Sequence, residues 1–170
     1  MLSLILFRHG KSDWDAPFSD DHERPLSTRG KEAARTMGRM LTRSQQVPDI
    51  AVSSSALRAR DTLQLAARAG RWSSPLRIDS ALYESTPSAI VEWIRQFDEP
   101  AARLLLTGHE PSWSELAGHL IGGPAALRIP TGAMLRIDFD GDTWQEIEPG
   151  GGELRWLIPP KLAARIGGAG

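Results

Sequence analysis

Apolar and polar positions along this chain form two kinds of pattern that follow one another. Largely apolar runs at residues 2–7 and 50–53 and a continuous apolar run at residues 104–106 are typical of buried strands. Between the first two runs, apolar residues recur at helical spacing over residues 28–43, which predicts a helix with one face on a sheet. Strands that alternate with helices predict an α/β domain with a mostly parallel central sheet and helices on both faces.

Weaker patterns complete this α/β prediction. Further helices are expected at residues 57–69, 87–97 and 111–121. A weaker strand is expected at residues 77–79. Towards the C-terminus, apolar and polar residues alternate on both sides of Asp140-Gly141-Asp142, which predicts a hairpin of residues 133–139 and 144–147. One more strand is expected at residues 154–157 after a glycine turn.

Composition narrows the class of protein. The 170 residues, 41% of them hydrophobic, suit a single domain over residues 1–162, with residues 163–170 as a flexible tail. The net charge of −1, with both signs interspersed, predicts no nucleic-acid or membrane partner. The absence of cysteine excludes disulfides, thiolate nucleophiles and cysteine zinc sites, and it suits a cytoplasmic protein. The first apolar run is too short for a signal sequence or a membrane span.

Reactive side chains follow three of the apolar strands. Arg8-His9-Gly10 comes after the first strand, Arg58 after the second, and Gly108-His109 after the triple leucine run. Open α/β sheets place their ligands beyond the carboxyl ends of the strands. We therefore expect two arginines and two histidines to form one anion site at this edge.

These residue types suit the chemistry of phosphoryl transfer. Arginine stays charged and grips two phosphate oxygens at once. A neutral imidazole such as that of His9 is a competent nucleophile, and nearby cations oppose its protonation. His109 in its charged form is expected to bind another phosphate oxygen, while Gly10 and Gly108 allow the backbone to approach the anion.

Several blocks of the sequence resemble the histidine phosphatase superfamily, which has the phosphoglycerate mutase-like fold. The Arg-His-Gly motif ends the first strand, and the other similar blocks occur in the family's order: Arg24-Pro25-Leu26-Ser27-Thr28-Arg29-Gly30, Ser54-Ser55-Ala56-Leu57-Arg58-Ala59, Gly108-His109-Glu110-Pro111 and Trp156-Leu157-Ile158-Pro159-Pro160-Lys161. The short length and the continuation Lys11-Ser12-Asp13-Trp14 resemble the SixA-type phosphohistidine phosphatase branch.

The resemblance implies a three-layer α/β/α sandwich and a covalent mechanism. His9 would carry a phosphohistidine intermediate, Arg8 and Arg58 would hold the phosphoryl group, and His109 would complete the pocket. Water would then release phosphate and regenerate the enzyme. Many relatives use an acidic residue as proton donor to the leaving group, and Glu84 is the candidate here.

The resemblance leaves other positions open. Arg24 either reaches the pocket mouth or pairs at the surface with Asp20, Asp21 or Glu23, and Trp14 is a candidate for lining the mouth. Glu110 stands where relatives often carry Asn, which leaves the local charge undecided. Arg60 is interpreted as lying outside the catalytic set because Arg58 occupies the family position. His22, as a solvated loop residue, and His119, as a helical residue that packs or faces water, are also interpreted as lying outside it.

The expected function is hydrolysis of a phosphorylated substrate, either a phosphohistidine-bearing protein or a small phosphomonoester. Asp20-Asp21 lacks accompanying metal-ligand spacing, so neither a metal nor another cofactor is expected. Two alternatives remain: a phosphoglycerate mutase-type phosphoryl transferase, for which the chain is short, and a non-catalytic phosphate-binding module. The sequence does not indicate the oligomeric state.

Overall fold

Strands and helices alternate along the residues that the computed structural model describes, 1–123 and 126–167. The strands, numbered β1 to β6 in chain order, are Leu2–Arg8, Ile50–Ser53, Leu76–Ile78, Arg103–Gly108, Met134–Phe139 and Gly152–Ile158. The helices, numbered α1 to α5, are Thr28–Arg43, Leu57–Gly70, Pro87–Arg95, Ser112–Ile121 and Pro160–Ile166. Short 3-10 turns lie at Asp21–Glu23, Ser80–Leu82 and Trp144–Glu146.

The six strands form one sheet in the order β3-β2-β4-β1-β5-β6. Neighbours from β3 to β1 are parallel, whereas β5 runs antiparallel to β1 and β6 antiparallel to β5. Arg8 pairs with Gly108 and Ser53 pairs with Thr107, so β1, β4 and β2 end at the same edge. The prediction of a mostly parallel sheet is confirmed, and that shared edge is where the chemistry-bearing residues follow.

Helices cover both faces of the sheet, which gives the three-layer sandwich that the family resemblance implies. Leu4 and Leu6 of β1 pack in one core cluster with residues of α3 and α4, and Ile5 and Phe7 pack in a second cluster with α1, α2 and α5. Successive strand residues point to opposite faces, so a continuous apolar run marks a strand covered on both sides. Within the described ranges, no helix is both long enough and apolar enough to span a bilayer.

The predicted partner of β5 is wrong. β5 pairs with Gly152–Ile158, and residues 144–147, expected to be its hairpin partner, form a 3-10 turn instead. The side chains of Trp144 and Ile147 are both buried, and Trp144 Nε1 donates a hydrogen bond of 2.8 Å to the carbonyl of Ala101. Trp144 and Ile147 lie three residues apart and are both buried, which suits a 3-10 turn and not a strand whose side chains alternate between core and solvent.

Residues 163–167, predicted to belong to a flexible tail, form the end of α5 and the residue after it. Pro160 lies in the first turn of the helix, Ala163 is buried in the cluster with α1, and Arg43 donates to the carbonyl of Gly167 at 3.1 Å. Proline is favoured in a first turn because its missing N–H would be unpaired there anyway. The rest of the predicted tail, residues 168–170, lies outside the described residues.

Candidate active site

Three neighbouring strand ends bring the two histidines and Arg58 together. His9 follows β1, His109 follows β4, and Arg58 lies in the first turn of α2, just after β2. The backbone N–H of His9 donates to the carbonyl of Gly108 at 3.0 Å, and the two imidazole rings lie 5.3 Å apart between centroids. The juxtaposition expected from the strand ends is therefore present in the structure.

The His9 imidazole is held with one nitrogen occupied and the other available. Its Nδ1 lies 2.7 Å from the carbonyl oxygen of Gly10, and because a carbonyl can only accept, Nδ1 carries the proton. Burial lowers the pKa of His9 to about 4, against the hydrogen bond to Gly10, and the charges of Arg58 and Arg8 lower it further. At neutral pH, Nε2 therefore carries a lone pair, which is the state that a nucleophile requires.

The glycine after His9 is required by packing. A Cβ at Gly10 would lie 2.7 Å from the backbone oxygen of Gly30 at the start of α1. The N–H of Gly10 donates to Thr62 Oγ1 at 3.0 Å, and that hydroxyl donates to the Arg58 carbonyl at 2.6 Å. The expected approach of the Gly10 backbone to an anion stays a prediction, since its N–H is already paired here.

Burial disfavours the charged form of His109 that is expected from the sequence. Its Nε2 lies 2.7 Å from Ser54 Oγ, which itself accepts from the N–H of Ala56 at 3.3 Å. In the tautomer with the ring proton on Nδ1, the Ser54 hydroxyl donates to Nε2. Burial lowers the pKa of His109 to about 3, helped by His9 and Arg58. Nδ1 is buried and has no partner among the described residues, so its N–H can donate to an anion.

Arg8 and Arg58 are each anchored through the outer end of the guanidinium. Arg8 Nη1 donates to the carbonyl of Ile129 at 2.9 Å, and Arg58 Nη1 donates to the carbonyl of Asp21 at 2.7 Å. In both side chains Nε is buried and has no partner in the described part of the chain, as is also the case for Arg24, Arg60 and Arg103. A buried donor without a partner is costly, and an anion at this site would satisfy both.

Asp21 and Tyr83 belong to the site, although the sequence did not single out either for it. Asp21 Oδ1 accepts from Arg24 at 2.8 Å, and its Oδ2 accepts from Arg58 at 3.0 Å and from Tyr83 Oη at 2.9 Å. Arg24 is buried, so the surface alternative considered for it is wrong, although its pairing with Asp21 is present. Trp14 is exposed and covers the outer face of Arg24, with the guanidinium carbon 3.5 Å from a ring centroid.

His22, predicted to be a solvated loop residue, is partly exposed and lies at the rim of the site. Its ring lies edge-on to Tyr83, with centroids 4.9 Å apart, and Tyr83 in turn lies 5.5 Å from His109. Its Nε2 lies 2.9 Å from Ser55 Oγ, and its Nδ1 lies 2.9 Å from a carboxylate oxygen of Glu23. His119, by contrast, is exposed on α4.

The two glutamates that the sequence left open occupy different positions. Glu84 is exposed beside Tyr83 and adopts a left-handed backbone conformation with φ of 51°. Glu110 accepts from the N–H and the hydroxyl of Ser114, at 2.8 and 2.5 Å, and so satisfies a donor in the first turn of α4. Its charge also acts on Arg8, where it opposes the lowering of the Arg8 pKa by burial.

The residues present do not form a metal site of the usual kind. Across residues 1–123 and 126–167, no three His, Asp or Glu side chains are grouped so that they could hold an ion. The donors that converge here are guanidinium and imidazole N–H groups, which suit an anion. Independence from metals stays a prediction.

Comparison with known proteins identifies the family. The sequence profile of the histidine phosphatase superfamily (branch 1) matches residues 4–93, more than half of the 170 residues. The chain belongs to this superfamily. Among the relatives of this chain, an uncharacterized protein of Mycobacterium tuberculosis strain H37Rv is 33% identical over 152 residues, covering 84% of this chain and 92% of that protein.

Other comparisons cover the fold and the wider superfamily. The structure of the protein histidine phosphatase SixA complexed with tungstate matches with a TM-score of 0.81 and 23% identity, over 94% of this chain and 98% of that one. A 2,3-bisphosphoglycerate-dependent phosphoglycerate mutase of Arthrobacter is 28% identical over 142 residues, 69% of this chain and 57% of the mutase. The fold of this superfamily member is thus that of the SixA-type branch.

Proposed function

We propose that this histidine phosphatase hydrolyses a phosphorylated substrate through a phosphohistidine intermediate on His9. The observation that carries the proposal is the hydrogen bond from His9 Nδ1 to the Gly10 carbonyl, which leaves the Nε2 lone pair free. Around this nucleophile lie the buried Nε groups of Arg8 and Arg58 and the Nδ1 of His109, none with a partner in the described ranges. A phosphoryl group would satisfy these donors and present phosphorus to His9.

The proposed reaction has two displacement steps. In the first, the lone pair of His9 Nε2 forms a bond to phosphorus while the bond from phosphorus to the leaving group breaks, and its electron pair goes to the leaving atom. In the second, water attacks the phosphohistidine, a water proton is lost, and the electron pair of the P–N bond returns to Nε2. The two arginines and His109 would donate hydrogen bonds to the equatorial oxygens, whose negative charge is redistributed in both transition states.

Glu84 is the proposed proton donor for substrates with a poor leaving group. It is exposed next to Tyr83, whose ring centroid lies 5.5 Å from that of His109. A protonated imidazole leaves without further help, whereas an alkoxide needs a proton. Substrates that leave as imidazole are therefore expected to depend little on Glu84.

A phosphohistidine-bearing protein is the substrate class that we favour, since SixA is described as a protein histidine phosphatase and shares this fold. A small phosphomonoester is the second possibility within the same mechanism. A mutase-type transfer and phosphate binding without turnover remain the alternatives, and the expected cytoplasmic location stays a prediction. No cofactor is part of the proposal.

Comparison of substrates tests the proposal. We expect kcat/KM to be highest for a phosphohistidine protein, lower for an aryl phosphate, and lowest for phosphoserine peptides and sugar phosphates, because transition-state discrimination follows leaving-group quality. Phosphate release and acid-labile labelling of the protein would be measured together. Conversion of 3-phosphoglycerate to 2-phosphoglycerate without phosphate release would instead establish a mutase, and binding without either would establish a non-catalytic module.

The acid limb of the pH profile should report the lowered pKa of His9. The neutral imidazole is the reactive form, so activity is present above its pKa and is lost as falling pH protonates Nε2. With a pKa of about 4 in place of 6.5, kcat/KM should stay nearly constant from neutral pH down to about pH 5. The rate for an aryl phosphate would be measured and corrected for the second ionisation of the substrate, with circular dichroism to exclude acid unfolding. A corrected limb near 6.5 would contradict the assignment.

A further inference from the structure

One carboxylate lies among the cations of the site. Asp21 accepts hydrogen bonds from Arg24, Arg58 and Tyr83 through its two side-chain oxygens, and its carbonyl accepts a second bond from Arg58. An anion-binding pocket that includes a fixed negative charge weakens its own attraction for phosphate. Its position therefore requires an explanation beyond anion binding.

Asp21 is ionised at neutral pH. Although burial raises the pKa of this carboxyl, the hydrogen bonds from Tyr83 and Arg58 and the charges of Arg58 and Arg24 lower it below the usual value. Its charge is therefore present whenever a substrate arrives under physiological conditions.

Exposure places Asp21 at the mouth of the pocket. The side chain of Asp21 is 47% exposed, whereas those of Arg24 and Arg58 are only 7% and 6% exposed, and His9 is 8% exposed. A phosphoryl group held against His9 would lie at the buried end of the pocket. Because the leaving group stands opposite the nucleophile, it would lie on the open side, near the Asp21 carboxylate.

The surroundings of the carboxylate keep it there. Arg58 contacts both the carbonyl and the side chain of Asp21, and Tyr83 Oη donates to the same oxygen as Arg58 Nη2. Four hydrogen bonds from three side chains fix the position of the charge. A fixed charge at the mouth discriminates between leaving groups by their sign, because it attracts cations and repels anions.

We propose that Asp21 is a specificity-determining residue that favours substrates with a cationic group next to the phosphoryl group and disfavours those with an additional negative charge there. The inference rests on the proposed function, since it places the phosphoryl group against His9. The favoured class includes the protonated imidazole of phosphohistidine and phosphate esters that carry an ammonium group. Carboxylate-bearing phosphates form the disfavoured class.

Two small phosphate esters of similar size test this inference directly. Phosphoethanolamine carries an ammonium group where phosphoglycolate carries a carboxylate, so the pair differs chiefly in the sign of one charge. Calorimetry would give the dissociation constant of each for the wild-type protein and for Asp21→Asn. We expect the wild type to bind phosphoethanolamine about ten-fold more tightly than phosphoglycolate, and the variant to bind the two within about two-fold.

The neighbouring Asp20 supplies a matched control. Asp20 is exposed and caps the turn Asp21–Glu23 by accepting from the N–H of Glu23, a role that asparagine fills equally well. Asp20→Asn removes the same charge one residue away and should preserve the wild-type preference. An equal preference in Asp21→Asn and the wild type, or an equal loss in both variants, would overturn the inference. The readout is relative affinity, with phosphate release checked in the same samples, so these outcomes are distinguishable from a failure of His9 as the nucleophile.

Discussion

His9→Ala is expected to abolish turnover of an aryl phosphate, with kcat reduced by roughly 10⁴-fold or more, as befits loss of a covalent nucleophile. The substitution removes the Nε2 lone pair and with it the first displacement step. Arg8, Arg58 and His109 would remain in place to bind phosphate, so affinity for inorganic phosphate should change far less than kcat. Initial rates and phosphate binding by calorimetry would separate the two effects.

His119→Ala is the matched control, because it removes an exposed imidazole from α4. It should retain wild-type kcat. The melting temperature of both variants would show that each is folded, and acid-labile labelling by substrate should occur in the wild type and the control alone. Should His9→Ala retain activity or incorporate the label, a different residue is the nucleophile.

The core of the site could be predicted from local sequence patterns. Arg8 ends β1, His9 and His109 directly follow β1 and β4, and Arg58 lies in the first turn of α2, just after β2. Parallel strands end at a common edge, so the strands predict that these residues lie at one edge of the sheet, whereas their order as neighbours comes from the structure. Their distances and protonation states could not be predicted in this way. The neutral state of His109, for instance, depends on burial produced by the complete fold.

The rim of the site required the tertiary structure. Asp21 and His22 lie in the loop between β1 and α1, and Tyr83 lies between β3 and α3, so nothing in their spacing brings them together. Asp21 was considered as half of an acidic pair and as one of three partners for Arg24. The position of Arg24 three residues after Asp21 was the available indication of an ion pair between them. The contacts of Asp21 with Arg58 and Tyr83 have no counterpart in the local sequence.

The fold shows the same division between local and distant effects. α1 begins after Ser27, whose hydroxyl accepts from the N–H of Gly30 at 3.1 Å, as capping preferences predict. The partner of β5 was mistaken because Asp140-Gly141-Asp142 satisfies the local rule for a hairpin turn. Burial of Trp144 against the carbonyl of Ala101, 43 residues away in sequence, decides otherwise. Such packing cannot be inferred from alternation alone.

Arg58→Lys is expected to lower kcat for the aryl phosphate by about 10²-fold while the protein stays folded. In Arg58, Nη1 and Nη2 contact Asp21, which leaves Nε for the phosphoryl group. Lysine preserves the positive charge, but its single nitrogen cannot make both sets of contacts. The loss should fall mainly on kcat, because charge on the equatorial oxygens is redistributed in the transition state.

Arg60→Lys controls for the same chemical change in the same helix. Arg60 lies two residues after Arg58 in α2, and its charge acts on Asp61. This variant should therefore retain activity within about two-fold. Arg58→Lys should also weaken inhibition by tungstate, an anion that has been bound in the SixA structure. Equal activity in the two lysine variants would show that charge alone suffices at position 58. A large loss in Arg60→Lys would instead assign the phosphoryl contact to Arg60, whose Nε is likewise buried without a partner among the described residues.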